Sequence, residues 1–461
     1  MEKAIPIESL PPTFQDAVHI TRRLGFNYLW IDSLCIIQDS PEDWNQESGQ
    51  MAYIYSNSVL TVSAEAARDG SVGIFRSANM FRPKSSIKVK CHWNDHDLVD
   101  VWFRSLCLPE PEEFHLHQRA WALQETLLPP RVLTYASHQL YYTCRTTQYD
   151  EQLPELPSYV HMAEDFQYHN ERCRLAKMIL FRASPFDEQP VMGPEAMKGG
   201  CLDSHPKVSD KDRTSQRPSD LSTGATVEEL LQQWFKIVEA YTVRSLTFEK
   251  DRLPAIAGIA KVFGRLTGYS YKAGLWDEDL IRGLAWFIRP GSNTYRRARC
   301  SDYVAPSWTW ASIPSRVSLN RGDSVEVPEK FEAAEDTTVL ETRLEYLSDD
   351  PYLGVSAGLL KIRGRCRSVD PKDYAEDIPY FDFTPDDDLD SHLHRSRTED
   401  RVNRLLLLLG KECLHHLALH YVALILEETD VRGTYKGVGF WKEGRWGQEL
   451  LKGTIKSLTI I

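Results

Sequence analysis

Residues 28–43 read YLWIDSLCIIQDSPED. An apolar run from Tyr28 to Ile31 stops at Asp32, and a second patch from Leu34 to Ile37 stops at Gln38 and Asp39. Apolar runs this short predict buried strands, and polar residues at strand ends mark where open α/β sheets keep their ligands. Asp32, Cys35 and Gln38 are therefore candidate site residues.

Upstream, Thr13 with Asp16 predicts a capping box, followed by apolar residues at helical spacing (Phe14, Ala17, Val18, Thr21, Leu24) and a stop at Gly25. Downstream, Ser40, Pro41 and Asp43 start a second helix that puts Trp44, Ser48, Met51 and Tyr55 on one face. Residues 59–63, VLTVS, are β-branched and predict another strand. Strand, helix and strand in this order make a right-handed βαβ unit with parallel strands, whose carboxyl edge would carry Asp32, Cys35, Gln38 and the 63–69 loop.

Farther along, residues 87–103 predict an antiparallel hairpin with a turn at 94–97. Residues 119–128 (RAWALQETLL) predict a helix ended by Pro129 and Pro130, and 132–135 with 139–144 a second hairpin. Thr226 caps a predicted helix over 227–242, and further helices follow at 253–267 and around 280–287. Beyond residue 307 the pattern turns to strands: SWTWASI (307–313), 359–364 and 421–427. The expected organisation is an α/β domain over 1–150, a connecting segment over 151–225 (mobile over 184–225), and an α+β region over 226–461 with an acidic exposed excursion at 373–400.

The net charge of −12 argues against nucleic-acid binding as the main function. The apolar run 405–409 is interrupted too soon by Gly410, Lys411 and Glu412 for a membrane span. Nine dispersed cysteines, no CxxC pair and no signal-peptide layout at the N-terminus together predict a cytoplasmic protein with reduced thiols.

Three blocks resemble the fungal heterokaryon-incompatibility (HET) domain family. LGFNYLWIDSLCIIQDSPEDW (24–44) with MAYIYSNSVLTVSA (51–64) is the first, and RAWALQETLLPPRVLTY (119–135) the second. The third lies outside the domain but is typical of longer members: YTVRSLTFEKDRLPAIAGIA (241–260), YKAGLW (271–276) and APSWTWASI (305–313). Two features depart from the pattern. The chain begins just after the place of the family's usual ALSYxWG strand, and Ala120 stands where members carry glycine.

The resemblance implies a parallel sheet wrapped by helices, similar to the Toll/interleukin-receptor (TIR) fold, and a role in non-self recognition that triggers regulated cell death. Several TIR-like domains cleave the nicotinamide–ribose bond of NAD with one glutamate on a helix. Glu125 follows Trp121 by one helical turn and resembles that glutamate, which implies NAD as a substrate rather than a resident cofactor. Asp32, Gln38 and Arg119 would then serve the dinucleotide. Two other readings stand beside this one: a module that self-associates or binds a receptor protein, and an inactive remnant.

Each candidate also has a plain structural reading. Glu125 is expected in the pocket, or as a solvated helix residue, or paired with Arg119 or Arg131, and Asp32 either on a ligand or capping its turn. Trp30 and Trp121 are expected as core aromatics. Cys35 is expected as a buried, inert thiol, with His19 and His138 its only conceivable base partners. Cys91, His92, His96 and Asp97, with His115 and His117, form the best metal-like cluster but match no zinc spacing. His416 and His420 are expected on one face of a strand, as packing or surface residues rather than ligands.

Overall fold

The computed structural model describes residues 5–75, 86–94, 97–104, 115–137, 139–145, 148–151, 226–288, 302–318, 330–369, 404–414, 418–443 and 450–461. The expected mobile segment, the acidic excursion, His96, His138 and His416 lie outside the described residues.

Two helices and one short turn open the chain. Helix α1, Pro12–Arg23, begins with proline at its first turn and ends before Gly25, whose φ of 80° is the left-handed conformation only glycine adopts cheaply. The expected capping box at its start is not formed. Asp16 Oδ2 instead accepts from the backbone N–H groups of Ile74 and Phe75, at 2.7 and 3.2 Å, and so ties the 69–75 loop to the helix. A carboxylate finds a better use where unpaired backbone donors come from far along the chain, which local spacing cannot reveal.

Residues 28–31 are not a strand. They run unpaired into α2, Asp32–Cys35, and Tyr28 is 76% exposed. Strand propensity reports fit to a pleated, half-buried surface, and the structure offers none here. Helix α3, Pro41–Asn57, starts as expected, with the Ser40 hydroxyl accepting from Asp43 N at 3.2 Å. Strand β1, Thr61–Ser63, then pairs in parallel with β4, Arg131–Tyr135, rather than with 28–31.

Between them lies the antiparallel hairpin of β2 (Ser86–Asn94) and β3 (Asp97–Arg104), followed by helix α4, Ala122–Leu127. Strands β5 (Leu140–Cys144) and β6 (Gln148–Asp150) complete a four-stranded sheet in the order β1-β4-β5-β6. Only its β1–β4 pair is parallel. The described sheet is therefore mixed, not the wholly parallel one expected.

Helix α5, Val227–Thr242, carries the full capping box: Glu229 N donates to the Thr226 hydroxyl, and Glu229 Oε2 accepts from Thr226 N at 2.7 Å. Thr226→Ala is expected to cost about 1 kcal/mol, read as a lower urea midpoint at unchanged m-value. Helix α6, Pro254–Thr267, packs against α3, α4 and α5. Short strands β7 (Tyr271–Lys272) and β8 (Leu275–Trp276), helix α7 (Leu280–Gly283), and β9 (Phe287–Ile288) with β10 (Val317–Ser318) follow.

The expected strand 307–313 is instead a turn with a 3₁₀ segment, Trp310–Ser312. Trp308 and Trp310 are fully buried, and their contacts explain the shape. Trp310 Nε1 donates to Gly274 O at 2.9 Å, and Trp286 Nε1 donates to Trp308 O at 3.1 Å. Trp308 and Trp310 lie two residues apart and would share one face of a strand as well; the turn is closed instead by backbone hydrogen bonds from Thr309 N to Pro306 O at 3.0 Å and from Ser312 N to Thr309 O at 3.2 Å.

The C-terminal strands are β11 (Lys330–Ala333), β12 (Thr338–Tyr346), β13 (Val355–Val369), β14 (Arg404–Leu414), β15 (Ala418–Glu428), β16 (Thr434–Glu443) and β17 (Thr454–Ile460). Strand β13 pairs with β12 along its first part, with β14 at its end, and with β17 on its other side. The pairings β13–β14–β15–β16–β17–β13 close a five-stranded barrel, with β11 and β12 attached outside the ring. Closure removes most of the open edges of the sheet.

The leucine run of β14 is buried on both faces. Leu405, Leu407 and Leu409 join the main core, while Leu406 and Leu408 pack with Ala423, Ile425 and Leu450. That is why the run is continuous rather than alternating. The same main core holds Leu123, Leu127 and Leu128 of α4 together with α5, α6 and the buried tryptophans. The N-terminal region and the segments after residue 226 thus share apolar packing.

Candidate active site

Helix α4 is short, and three of its six residues are buried leucine or alanine: Ala122, Leu123 and Leu127. This pins the helix against α6 and leaves Glu125 on the side facing α3. The Glu125 side chain accepts a hydrogen bond from the Tyr55 hydroxyl, which comes from the last turns of α3. The Tyr55 ring meets Trp30 edge-on, with centroids 5.5 Å apart. Residues 28–43 therefore reach Glu125 through Trp30 and Tyr55.

Glu125 keeps some surface, but protein atoms crowd its carboxyl. That burial, reinforced by the negative charge of Asp32, pushes its pKa from 4.5 up to about 7; Arg119, the Tyr55 hydrogen bond and Arg244 oppose the rise. Burial, then the charges of Glu125 and Asp32, raise the Tyr55 hydroxyl well above its usual range. The site is thus two carboxylates, a tyrosine kept as a hydrogen-bond donor, and two arginines. A carboxyl that titrates near neutrality in such surroundings is suited to accept or hold a proton.

The structure brings Asp32 and Arg119 close enough for both charges to act on Glu125. Asp32 Oδ1 also accepts from Ser33 N at 2.7 Å, so capping and site placement coexist in one side chain. Gln38 is not brought into the cluster. It is exposed, and its amide donates to Ile36 O at 2.9 Å and Asp32 O at 3.4 Å, bracing the loop. Asp43 Oδ2 holds the same loop by accepting from Ile37 N at 2.7 Å.

Cys35 is exposed, which corrects the expectation of a buried thiol. Its helix is a single turn with no buried residue, so the apolar neighbours in sequence form no core around it. Trp30 and Trp121 are half-buried. Trp121 packs edge-on to Trp44 at 5.9 Å and donates Nε1 to Asp251 Oδ2 at 3.4 Å. Among the described residues no group of three or more His, Cys, Asp or Glu side chains is placed to hold a metal ion. His117 lies 2.8 Å through Nδ1 from the buried Glu65. Burial would raise the Glu65 carboxyl, but His117 outweighs it and holds the pKa below the usual range, with a smaller contribution from Arg244.

Sequence reasoning missed Tyr55 and Glu65. Tyr55 was placed on the correct helix face by its spacing from Trp44 and Met51, but nothing local pointed to Glu125. Tyr55→Phe removes a donor to the carboxylate. The Glu125 titration should then move to higher pH in carboxyl-¹³C NMR, with any turnover falling by about tenfold. A titration that stays in place would show that Tyr55 does not set this group.

Residues 1–125 match the family model described as Heterokaryon incompatibility protein (HET). The N-terminal region is a HET domain. The matched residues end at Glu125, so the HET domain contains Asp32, Tyr55, Glu65, Arg119 and Glu125, whereas Arg244 lies outside it. No curated protein matches the chain. No solved structure matches it either. Among the described residues no helix is long and apolar enough to cross a membrane.

A concavity of about 770 Å³ is lined by residues of the C-terminal region. Asp302, Tyr303, Arg343, Glu345, Lys436 and Ile461 are among its lining residues, and it contains none of the HET-domain cluster.

Proposed function

We propose that the HET domain acts in non-self recognition and triggers regulated cell death by TIR-like cleavage of NAD. The observation that carries the chemistry is the desolvated cluster of Glu125, Tyr55 and Asp32 flanked by Arg119 and Arg244. In this reading the C–N bond between ribose and nicotinamide breaks, its electron pair leaves with neutral nicotinamide, and water adds at the ribose carbon. The Glu125 carboxylate stabilises the positive charge developing on the ribose ring and takes the proton that the water releases. Arg119, which is exposed, offers its charge to the pyrophosphate. Gln38 would act on the dinucleotide only after its amide leaves the loop carbonyls it holds.

Nicotinamide release from NAD by the full chain, compared with Glu125→Gln, tests this reading. Equal release from both proteins, or none from the wild type at concentrations that force self-association, would end it.

One observation favours a partner-binding reading. Tyr28, Leu29, Leu34, Ile37, Tyr53 and Val59 are all exposed in the HET domain. Exposed apolar side chains suit self-association or a protein partner where they lie in one patch. Sedimentation of the full chain against a Tyr28→Ser, Ile37→Ser variant separates this property from catalysis.

A further inference from the structure

Two carboxylates of the HET domain, Glu65 and Glu125, both feel the positive charge of Arg244, which lies outside the matched residues. The backbone shows how it is delivered. Ala120 N donates to Ser245 O at 3.0 Å and Ser245 N donates to Gln118 O at 2.6 Å, forming a parallel bridge between residues 119 and 245. On this bridge the Arg244 guanidinium donates Nη1 to Arg119 O at 3.4 Å and Nε to Ala240 O at 3.2 Å. It is thereby tied to the main chain of the residue that supplies the other cation.

The surrounding contacts fix the bridge. Asp251 accepts from Trp121, and the Gln124 side chain accepts from Gly258 N at 2.7 Å and donates to Pro254 O at 3.4 Å. Every one of these joins the helix bearing Glu125, or the residues just before it, to the 240–258 stretch.

We infer that Arg244 is a positioning residue of the HET-domain site, supplied by the following region, so that the site is complete only when residues 240–258 are docked. This rests on the reading of Glu125 as the working carboxylate. The charged and titratable groups that bear on Glu125 are Asp32 from α2, Tyr55 from α3, Arg119 from the approach to α4, and Arg244 from the end of α5. Arg244 acts on Glu65 as well. Loss of docking would remove one of two cations, and the Glu125 carboxylate would be formed only at higher pH. The following region would thereby regulate the HET domain through charge.

The test is a carboxyl-¹³C NMR titration of Glu125 in the full chain, the signal being assigned by its loss in Glu125→Gln. Arg244→Gln and Arg244→Met remove the charge, the second keeping most of the apolar stem, and Arg244→Lys restores the charge. The expected result is a Glu125 midpoint shifted to higher pH in the neutral variants and returned towards the wild-type position in Arg244→Lys. An unchanged midpoint in a folded neutral variant overturns the proposal. Failure of all three variants to fold also overturns it, because Arg244 is then a scaffold residue. Absence of nicotinamide release from the wild type would overturn the NAD reading alone, since the titration decides the role of Arg244 without turnover.

Discussion

Glu125→Gln is expected to lower nicotinamide release from NAD by about 10²–10³-fold or more, with little change in fold. Glutamine fills nearly the same volume and can still accept from the Tyr55 hydroxyl, but it carries no negative charge to oppose a developing oxocarbenium ion and takes up no proton. Wild-type turnover should rise with pH through the Glu125 midpoint of about 7, because the carboxylate is the working form. The residual activity of Glu125→Gln should lack that inflection.

The same substitution has a stability signature of defined sign. The folded chain holds the Glu125 proton up to about pH 7, whereas the unfolded chain releases it near 4.5. Stability therefore falls as pH rises between those values, and the penalty is fully present above the upper one. Removing the charge should stabilise the protein at pH 8 relative to pH 4, by on the order of 1–3 kcal/mol, measured as the difference between urea midpoints. A pH-independent effect would show that the carboxyl is not desolvated.

Gly258→Ala is expected to produce the largest loss of stability. A Cβ at this position would overlap the Gln124 amide oxygen and lie 2.6 Å from Ala52 Cβ and 3.0 Å from Leu128 Cδ1. The glycine thus permits α6 to pack directly against α3 and α4, and its N–H satisfies the buried Gln124 oxygen. Overpacking and the loss of that hydrogen bond oppose the ordinary gain from placing alanine in a helix, for a net cost of about 2–4 kcal/mol. A lowered urea midpoint checks the cost. Faster hydrogen exchange over 241–258 would show that the docked stretch opens first. If the variant is as stable as the wild type, the close approach is not required.

The parts legible in the sequence were those in which cause and effect lie within one element. Ser40 with Pro41, and Thr226 with Glu229, start their helices as read, because a cap needs only residues three apart. The hairpins at β2–β3 and β4–β5 were legible for the same reason. Residues 28–31 were not, since an extended apolar run becomes a strand only when a neighbour supplies hydrogen bonds, and β1 spends its described edge on β4. The 307–313 turn was illegible because the groups that hold it, Trp286 and Gly274, come from elsewhere in the chain.

The site divides along the same line. The third block could be matched by resemblance, but nothing in its letters shows that Arg244 and Gly258 belong beside Glu125. That depends on packing between stretches far apart in the chain. Motif and resemblance point to Asp32, Arg119 and Glu125, and helical spacing points to Tyr55 only as a helix-face residue. Gln38 was named for a dinucleotide and is found bracing its own loop.

The C-terminal ring has a consequence for how the protein is made. Its strands leave the ribosome in the order β13 to β17, yet β17 fits between β16 and β13 and is the member that joins the two ends. Until it emerges, a nascent chain would present two unpaired strand edges and the leucines of β14 without their full cover. Translation stalled before residues 454–460 would therefore leave an aggregation-prone product that quality-control proteases could recognise, even with the HET domain already folded.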